Sequence, residues 1–172
     1  MATETAVAKA TTRESAPAIH VGAPDDGIQE MFDSLARRAF SIFESNGLFG
    51  RDLENWFQAE KELFHPAHLD VSETEQAYTV RAEVPGFTDK DIEINLEGQR
   101  LTISGKREKR EERKDKKQVY SEMCSDQILR VVDLPGEVKA EAAKATLKDG
   151  ILELELPKAA PAKKIAITPK AA

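Results

Sequence analysis

Few residues in this 172-residue chain have the type and spacing that chemistry needs. His65 and His68 have metal-ligand character, but on an extended chain a spacing of three sends them to opposite faces, with no third ligand near. They read more simply as surface or loop histidines. Gly105-Lys106 lacks the earlier glycine and the Ser/Thr of a phosphate-cradling loop. The single cysteine, Cys124, excludes an internal disulfide or a Cys-pair zinc site, and no histidine lies in its own segment. An inert, at least half-buried thiol is the default. Catalysis has no support: no enzyme, no cofactor and no metal are expected.

Three other features suit binding. Lys106 to Lys117 are all charged, eight basic and four acidic, a run expected to form a solvated protrusion between two strands. A nucleic-acid role is disfavoured by the interspersed acids, the net charge of -6 and a lone stacking platform nearby, Tyr120. Arg130 shares strand parity with Ile128, Val132 and Leu134. In that phase its guanidinium must meet a carboxylate within its sheet or across an interface, and losing a buried pair costs about 3–5 kcal/mol. The opposite phase turns Leu129 and Val131 inward and Arg130 to water; both phases stay open. In the tail, Ile165 and Ile167 point the same way on a strand, either as two prongs for a groove beside a sheet edge or as a last strand folded back.

Composition divides the elements that position these residues. Of ten aromatic residues, seven (Phe32, Phe40, Phe43, Phe49, Trp56, Phe57, Phe64) lie between 32 and 64. Residues 1–26 are Ala, Thr, Ser, Pro and charge without periodicity, and are expected to be disordered. From Asp26, spaced with Gln29 like a capping box, Ile28, Phe32, Leu35, Ala39 and Ile42 follow a helical period that Asn46-Gly47 can stop. Leu53, Trp56, Phe57, Glu60 and Phe64 suggest a second helix, so 27–64 reads as a helical, aromatic-rich part of an arm spanning 1–64. Over 65–157 the period becomes two, as in Tyr78, Val80, Ala82 and Val84, or Leu152, Leu154 and Leu156. Turn signals at Pro85-Gly86, Glu97-Gly98, Pro135-Gly136 and Asp149-Gly150 cut this into seven or eight short strands, which predicts an all-β, immunoglobulin-like, two-sheet antiparallel β-sandwich. Residues 158–172 form an extended tail with four basic and no acidic side chains. No spanning helix and no secretory leader are apparent, and the lone cysteine suits a reducing cytoplasm.

These motifs together resemble one family. Val84-Pro85-Gly86-Phe87 and Ala145-Thr146-Leu147-Lys148-Asp149-Gly150-Ile151-Leu152 are similar to the two signatures of the α-crystallin domain. Arg130-Val131-Val132-Asp133-Leu134-Pro135 resembles the family's arginine strand, and Ile165-Ala166-Ile167 its C-terminal anchor. Two departures stand out: aliphatic Ile128 and Val132 where phenylalanines are usual, and no glycine near Asp126. The insertion 105–125, with strand-like Gln118 to Ser121, resembles the bacterial and plant type.

The resemblance implies a small heat-shock protein, a holdase chaperone of the stress response that works without ATP. Its partners would be unfolding client proteins and further copies of itself, in a homo-oligomer built from dimers. It implies an anchor at Ile165 and Ile167, a receiving groove near Ile94, Leu96 and Leu147, and a dimer interface through Val119, Tyr120 and Arg130. Clients would bind Phe32, Phe40, Phe43, Phe49, Trp56 and Phe57. The alternative is a co-chaperone of the CS-domain type serving an ATP-driven chaperone, against which the aromatic arm and the anchor argue. A third reading, residues 28–43 as an amphipathic membrane anchor, is weakened by the acidic balance of 1–64.

Overall fold

Residues that alternate along the chain alternate in space. From Ala77 to Glu83, Tyr78, Val80 and Ala82 are buried while Arg81 and Glu83 reach solvent; from Ile151 to Pro157, Leu152, Leu154 and Leu156 are buried while Glu153 and Glu155 are exposed. Successive strand side chains point to opposite faces, so each sheet gains one apolar face. The computed structural model describes residues 15–46, 50–108 and 125–160. In chain order the elements are β1 (Ala18–Val21), α1 (Asp26–Asn46), α2 (Asp52–Leu63), β2 (Leu69–Glu73), β3 (Ala77–Glu83), β4 (Ile92–Glu97), β5 (Arg100–Glu108), β6 (Ser125–Asp133), β7 (Lys144–Lys148) and β8 (Ile151–Pro157). A 3₁₀ turn occupies Ala140–Ala142.

The strands form two four-stranded sheets, ordered β1-β4-β5-β6 and β2-β3-β8-β7. All neighbours are antiparallel except β1 and β4. Register places Tyr78 opposite Leu156, Val80 opposite Leu154 and Ala82 opposite Leu152. This apolar face meets Ile94, Leu96, Leu101, Ile103 and Ile128 of the other sheet in one core. At the β7–β8 hairpin, Asp149 (φ 51°) and Gly150 (φ 76°) both take the left-handed conformation that a tight two-residue turn needs. A Cβ on Gly150 would stand 3.2 Å from the Pro85 Cα, a tight approach that favours glycine there for space as well.

The helices cover the outer face of the β4–β6 sheet. A second apolar cluster joins Ile28, Leu35 and Ile42 of α1, Ala59 of α2 and Phe64 to Leu129 of β6. Asn95, Thr102 and Ser104, whose side chains alternate with those of the sandwich core, are at most 3% exposed. Strand β6 is thus apolar on both sides: Ile128 belongs to the sandwich core and Leu129 to the helical layer.

Four sequence expectations are corrected. Disorder through residue 26 fails from Ser15 onward, because Ser15 bridges Leu147 and β1 pairs with β4; tertiary contacts supply what composition lacks. The cap of α1 is Asp25 and not Asp26: its Oδ1 accepts the Ile28 N–H at 2.9 Å. The charged run does not leave the sandwich at Lys106, since β5 continues to Glu108 and Arg107 pairs with Asp126 directly across the ladder. Lys158, assigned to the tail, is 8% exposed; its Nζ lies 2.5 Å from Glu73 and over the Tyr78 ring. A buried ammonium persists when a carboxylate and an aromatic face receive it.

Candidate functional site

Among the described residues, no three His, Cys, Asp or Glu side chains are placed to hold a metal, and no helix is long and apolar enough to cross a membrane. What the structure offers is surface.

The first surface is the outer side of the helical hairpin. Helix α1 presents its Ile28, Leu35, Ile42 stripe inward, and Arg38 Nε donates to Glu62 of α2 at 2.6 Å. Hydrogen bonds from Gln58 and then Arg38 hold the Glu62 carboxyl below its ordinary value. These contacts leave large apolar side chains outside: Phe40 is 60% exposed, Leu53 72% and Phe57 54%. Phe43 is half-buried with its ring 6.1 Å from that of Phe40, and Phe32 and Trp56 are half-buried against the cluster. Phe49 lies outside the described residues. Leu53 shares this exposure with the aromatics although the aromatic pattern does not point to it.

The second surface lies between α2 and β6. A cavity of about 730 Å³ is lined by Phe57, Glu60, Lys61, Phe64, His65, Pro66, Leu129 and Arg130. Arg130 keeps the parity of Ile128 and Val132, and Val131 is exposed. Within the chain its carboxylate neighbour comes from α2 and not from its own sheet: Nη1 stands 3.6 Å from Glu60, with the two side chains 40% and 31% exposed. A pair so placed is worth about 0–1 kcal/mol. The more enclosed arginine is Arg107, which lies inside the charged run and was not singled out in the sequence. Arg107 pairs with Asp126, donates to the Gly86 carbonyl at 2.5 Å and stacks over Phe87, tying the Pro85-Gly86 turn to β5 and β6.

The third surface is the open edge of the sandwich at β4 and β7. Ile94, Leu96 and Leu147 do come together there, but their side chains belong to the closed core. Their strand edges are covered by residues 15–21: Ile19 sits opposite Ile94 in the ladder, and Ser15 exchanges backbone hydrogen bonds with Leu147. Beside this junction the neighbouring Asp25 carboxyl, and then burial, raise the Glu93 pKa. Ile165, Ile167, Val119, Tyr120 and Cys124 lie outside the described residues.

A family model described as the Hsp20/alpha crystallin family matches residues 70–169. Over 96 residues the chain is 43% identical to Spore protein SP21 of Stigmatella aurantiaca, covering 55% of this chain and 56% of that protein. It therefore spans little more than half the length of that relative. Over 141 residues it is 36% identical to an 18.1 kDa class I heat shock protein of Oryza sativa subsp. japonica, covering 81% of this chain and 82% of the rice protein. Heat shock protein 16.0 from Schizosaccharomyces pombe matches with a TM-score of 0.48 at 28% identity, covering 60% of this chain and 99% of that one. With the family model spanning more than half the sequence and the rice protein aligned along most of both chains, this chain belongs to the Hsp20/alpha-crystallin family, the small heat-shock chaperones.

Proposed function

We propose that the chain is an ATP-independent holdase, which binds unfolding proteins through the helical hairpin and withholds them from aggregation. The observation that carries this reading is the exposure of Phe40, Leu53 and Phe57 on a layer whose own core closes without them. Burying one such side chain against a client contributes about 1.5–3 kcal/mol, so three give a contact that is weak singly and effective when repeated. Binding the unfolded state lowers its free concentration by mass action and needs no nucleotide. Phe32, Phe43, Phe49 and Trp56 would join the surface as the hairpin loosens.

The same reading takes the working form to be a homo-oligomer built from dimers. Val119 and Tyr120 would form a strand against a second subunit, with Arg130 at that interface beside the α2–β6 cavity. Ile165 and Ile167 would dock at the edge near Ile94, Leu96 and Leu147 of a neighbour. One cysteine in 172 residues supports action in a reducing cytoplasm.

Light scattering from a heated client protein tests the function. Suppression of aggregation without ATP is expected. Suppression that needs ATP and a second chaperone would instead identify a co-chaperone.

A further inference from the structure

The edge at β4 and β7 is occupied by residues 15–21 of the same chain. Ala18 to Val21 lie parallel to β4, opposite Glu93 to Leu96, and the Gly22 N–H donates to the Leu96 carbonyl at 2.9 Å. Upstream, the Ser15 N–H donates to the Leu147 carbonyl at 3.2 Å, and the Leu147 N–H donates back to the Ser15 carbonyl at 2.7 Å. Residues 15–21 thus cross from one sheet to the other and close the open side of the sandwich. Of their side chains, Pro17 is buried and Ile19 half-buried against the core, whereas Ala16, Ala18, His20 and Val21 are exposed. The docking unit is Pro17-Ala18-Ile19, two prongs flanking an alanine. Ile165-Ala166-Ile167 has the same plan with isoleucine in place of proline.

We infer that Pro17-Ala18-Ile19 is a built-in, displaceable ligand of the β4–β7 edge, and that the Ile165-Ala166-Ile167 segment of a second copy docks there by displacing it. This rests on the reading of the tail as an inter-subunit anchor given above. The two segments differ in a way that makes exchange workable. Isoleucine buries more apolar surface than proline and keeps a backbone N–H for the ladder, so the tail is the better ligand residue for residue. The plug is tethered, which gives it a high effective concentration at its own edge. An isolated subunit therefore keeps its edge covered, which guards an exposed strand against indiscriminate pairing. An assembly rich in tails replaces the plug.

Displacement reaches the helical hairpin. Only residues 22–25 separate β1 from α1, and they are held at β4 by Asn95 Nδ2, 3.5 Å from the Ala23 carbonyl. Asp25, the last of them, is the cap of α1. Removing β1 pulls on this junction, so occupation of the edge by a tail loosens the start of the hairpin that carries the exposed apolar groups.

The test uses the full chain carrying Ile165→Ser and Ile167→Ser, so that a fluorescent peptide of residues 158–172 is the only competent tail. In this background Ile19→Ser weakens the plug and Pro17→Ile strengthens it. A plug closed nine-tenths of the time weakens peptide binding about tenfold, so Ile19→Ser should tighten binding by up to that factor and Pro17→Ile should weaken it. A peptide with both isoleucines changed to serine serves as control. Equal affinity of all three chains for the peptide would overturn the plug and leave the tail anchor standing. Absence of peptide binding to every chain, Ile19→Ser included, would overturn both.

Discussion

The sandwich and the helical hairpin handle apolar side chains in opposite ways. The sandwich has few aromatics and closes over aliphatics: Val80, Ile94, Leu101, Leu152, Leu154 and Leu156 have no exposure. The hairpin holds most of the aromatics, yet its cluster takes in only Phe64 fully, beside Ile28, Leu35, Ile42 and Ala59, with Phe40 and Phe57 outside. A sandwich has two apolar faces to bury against each other, whereas a two-helix layer on a single sheet face has only one. The difference teaches that the closed core and the exposed apolar surface fall in different parts of one chain, and that large apolar residues need not mark the best-formed core.

The largest effect should separate the two parts directly. Leu154→Ala empties a fully enclosed site and should cost about 2–5 kcal/mol in urea unfolding. Leu35→Ala should lower the denaturant midpoint of the hairpin, read from the fluorescence of the sole tryptophan, half-buried Trp56, and leave the sandwich transition by circular dichroism in place. Coincident shifts of both transitions would mean that the two parts unfold as one. Next in size is Gly150→Ala, which forces a left-handed φ on a side chain 3.2 Å from Pro85. It should destabilise the sandwich by about 1–3 kcal/mol in the same urea titration, with Trp56 emission at rest unchanged.

The junction between the parts should respond to pH. Glu93 titrates above its ordinary value because the neighbouring Asp25 carboxyl, and then burial, disfavour its charge. Asp25 titrates below its ordinary value, chiefly because the Ile28 N–H donates to it. The raised Glu93 contributes stability that is full below its unfolded pKa and is lost as pH rises through its folded one. The lowered Asp25 contributes stability present above its unfolded pKa and lost as pH falls through its folded one. The β1–β4 junction should therefore be tightest in the mildly acidic range and looser at neutral pH, where the two carboxylates repel. Hydrogen exchange over 92–97, corrected for intrinsic rates, should show this, and Glu93→Gln should remove the loosening towards neutral pH while leaving the loss at low pH that Asp25 causes. The smallest effect should come from Arg130→Gly. With its partner Glu60 half-exposed, a urea shift of about 0–1 kcal/mol is expected, and a loss of 3 kcal/mol or more would mean that Arg130 is buried in an interface between subunits.

The sandwich was legible in the sequence because its strands face two different media, which writes a period of two into Tyr78, Val80 and Ala82 or Leu152, Leu154 and Leu156. The Asp149-Gly150 hairpin was legible because its backbone admits few residues. The phase of β6 was not, since a strand buried on both faces carries no alternation to read: Ile128 and Leu129 are both inside. Strand β1 was invisible for a different reason. Ser15 to Val21 buries only Pro17 and half of Ile19, and its order comes from edges some 75 and 130 residues away in sequence, which no local pattern records. Arg107 was lost inside a charged run because its partner, Asp126, is close only once β5 and β6 pair.

The most direct test of the central claim compares the two parts in a single assay of client aggregation, by light scattering on heating without ATP. One variant carries Phe40→Ser, Leu53→Ser and Phe57→Ser on the hairpin; the other carries Val71→Ser, Val131→Ser and Ile151→Ser at the exposed apolar positions of the sandwich. The hairpin variant should lose most of its protection while its sandwich unfolds at the wild-type urea concentration, and the sandwich variant should protect like the wild type. Full protection by the hairpin variant, or loss in the sandwich variant alone, would contradict the assignment of client binding to the arm.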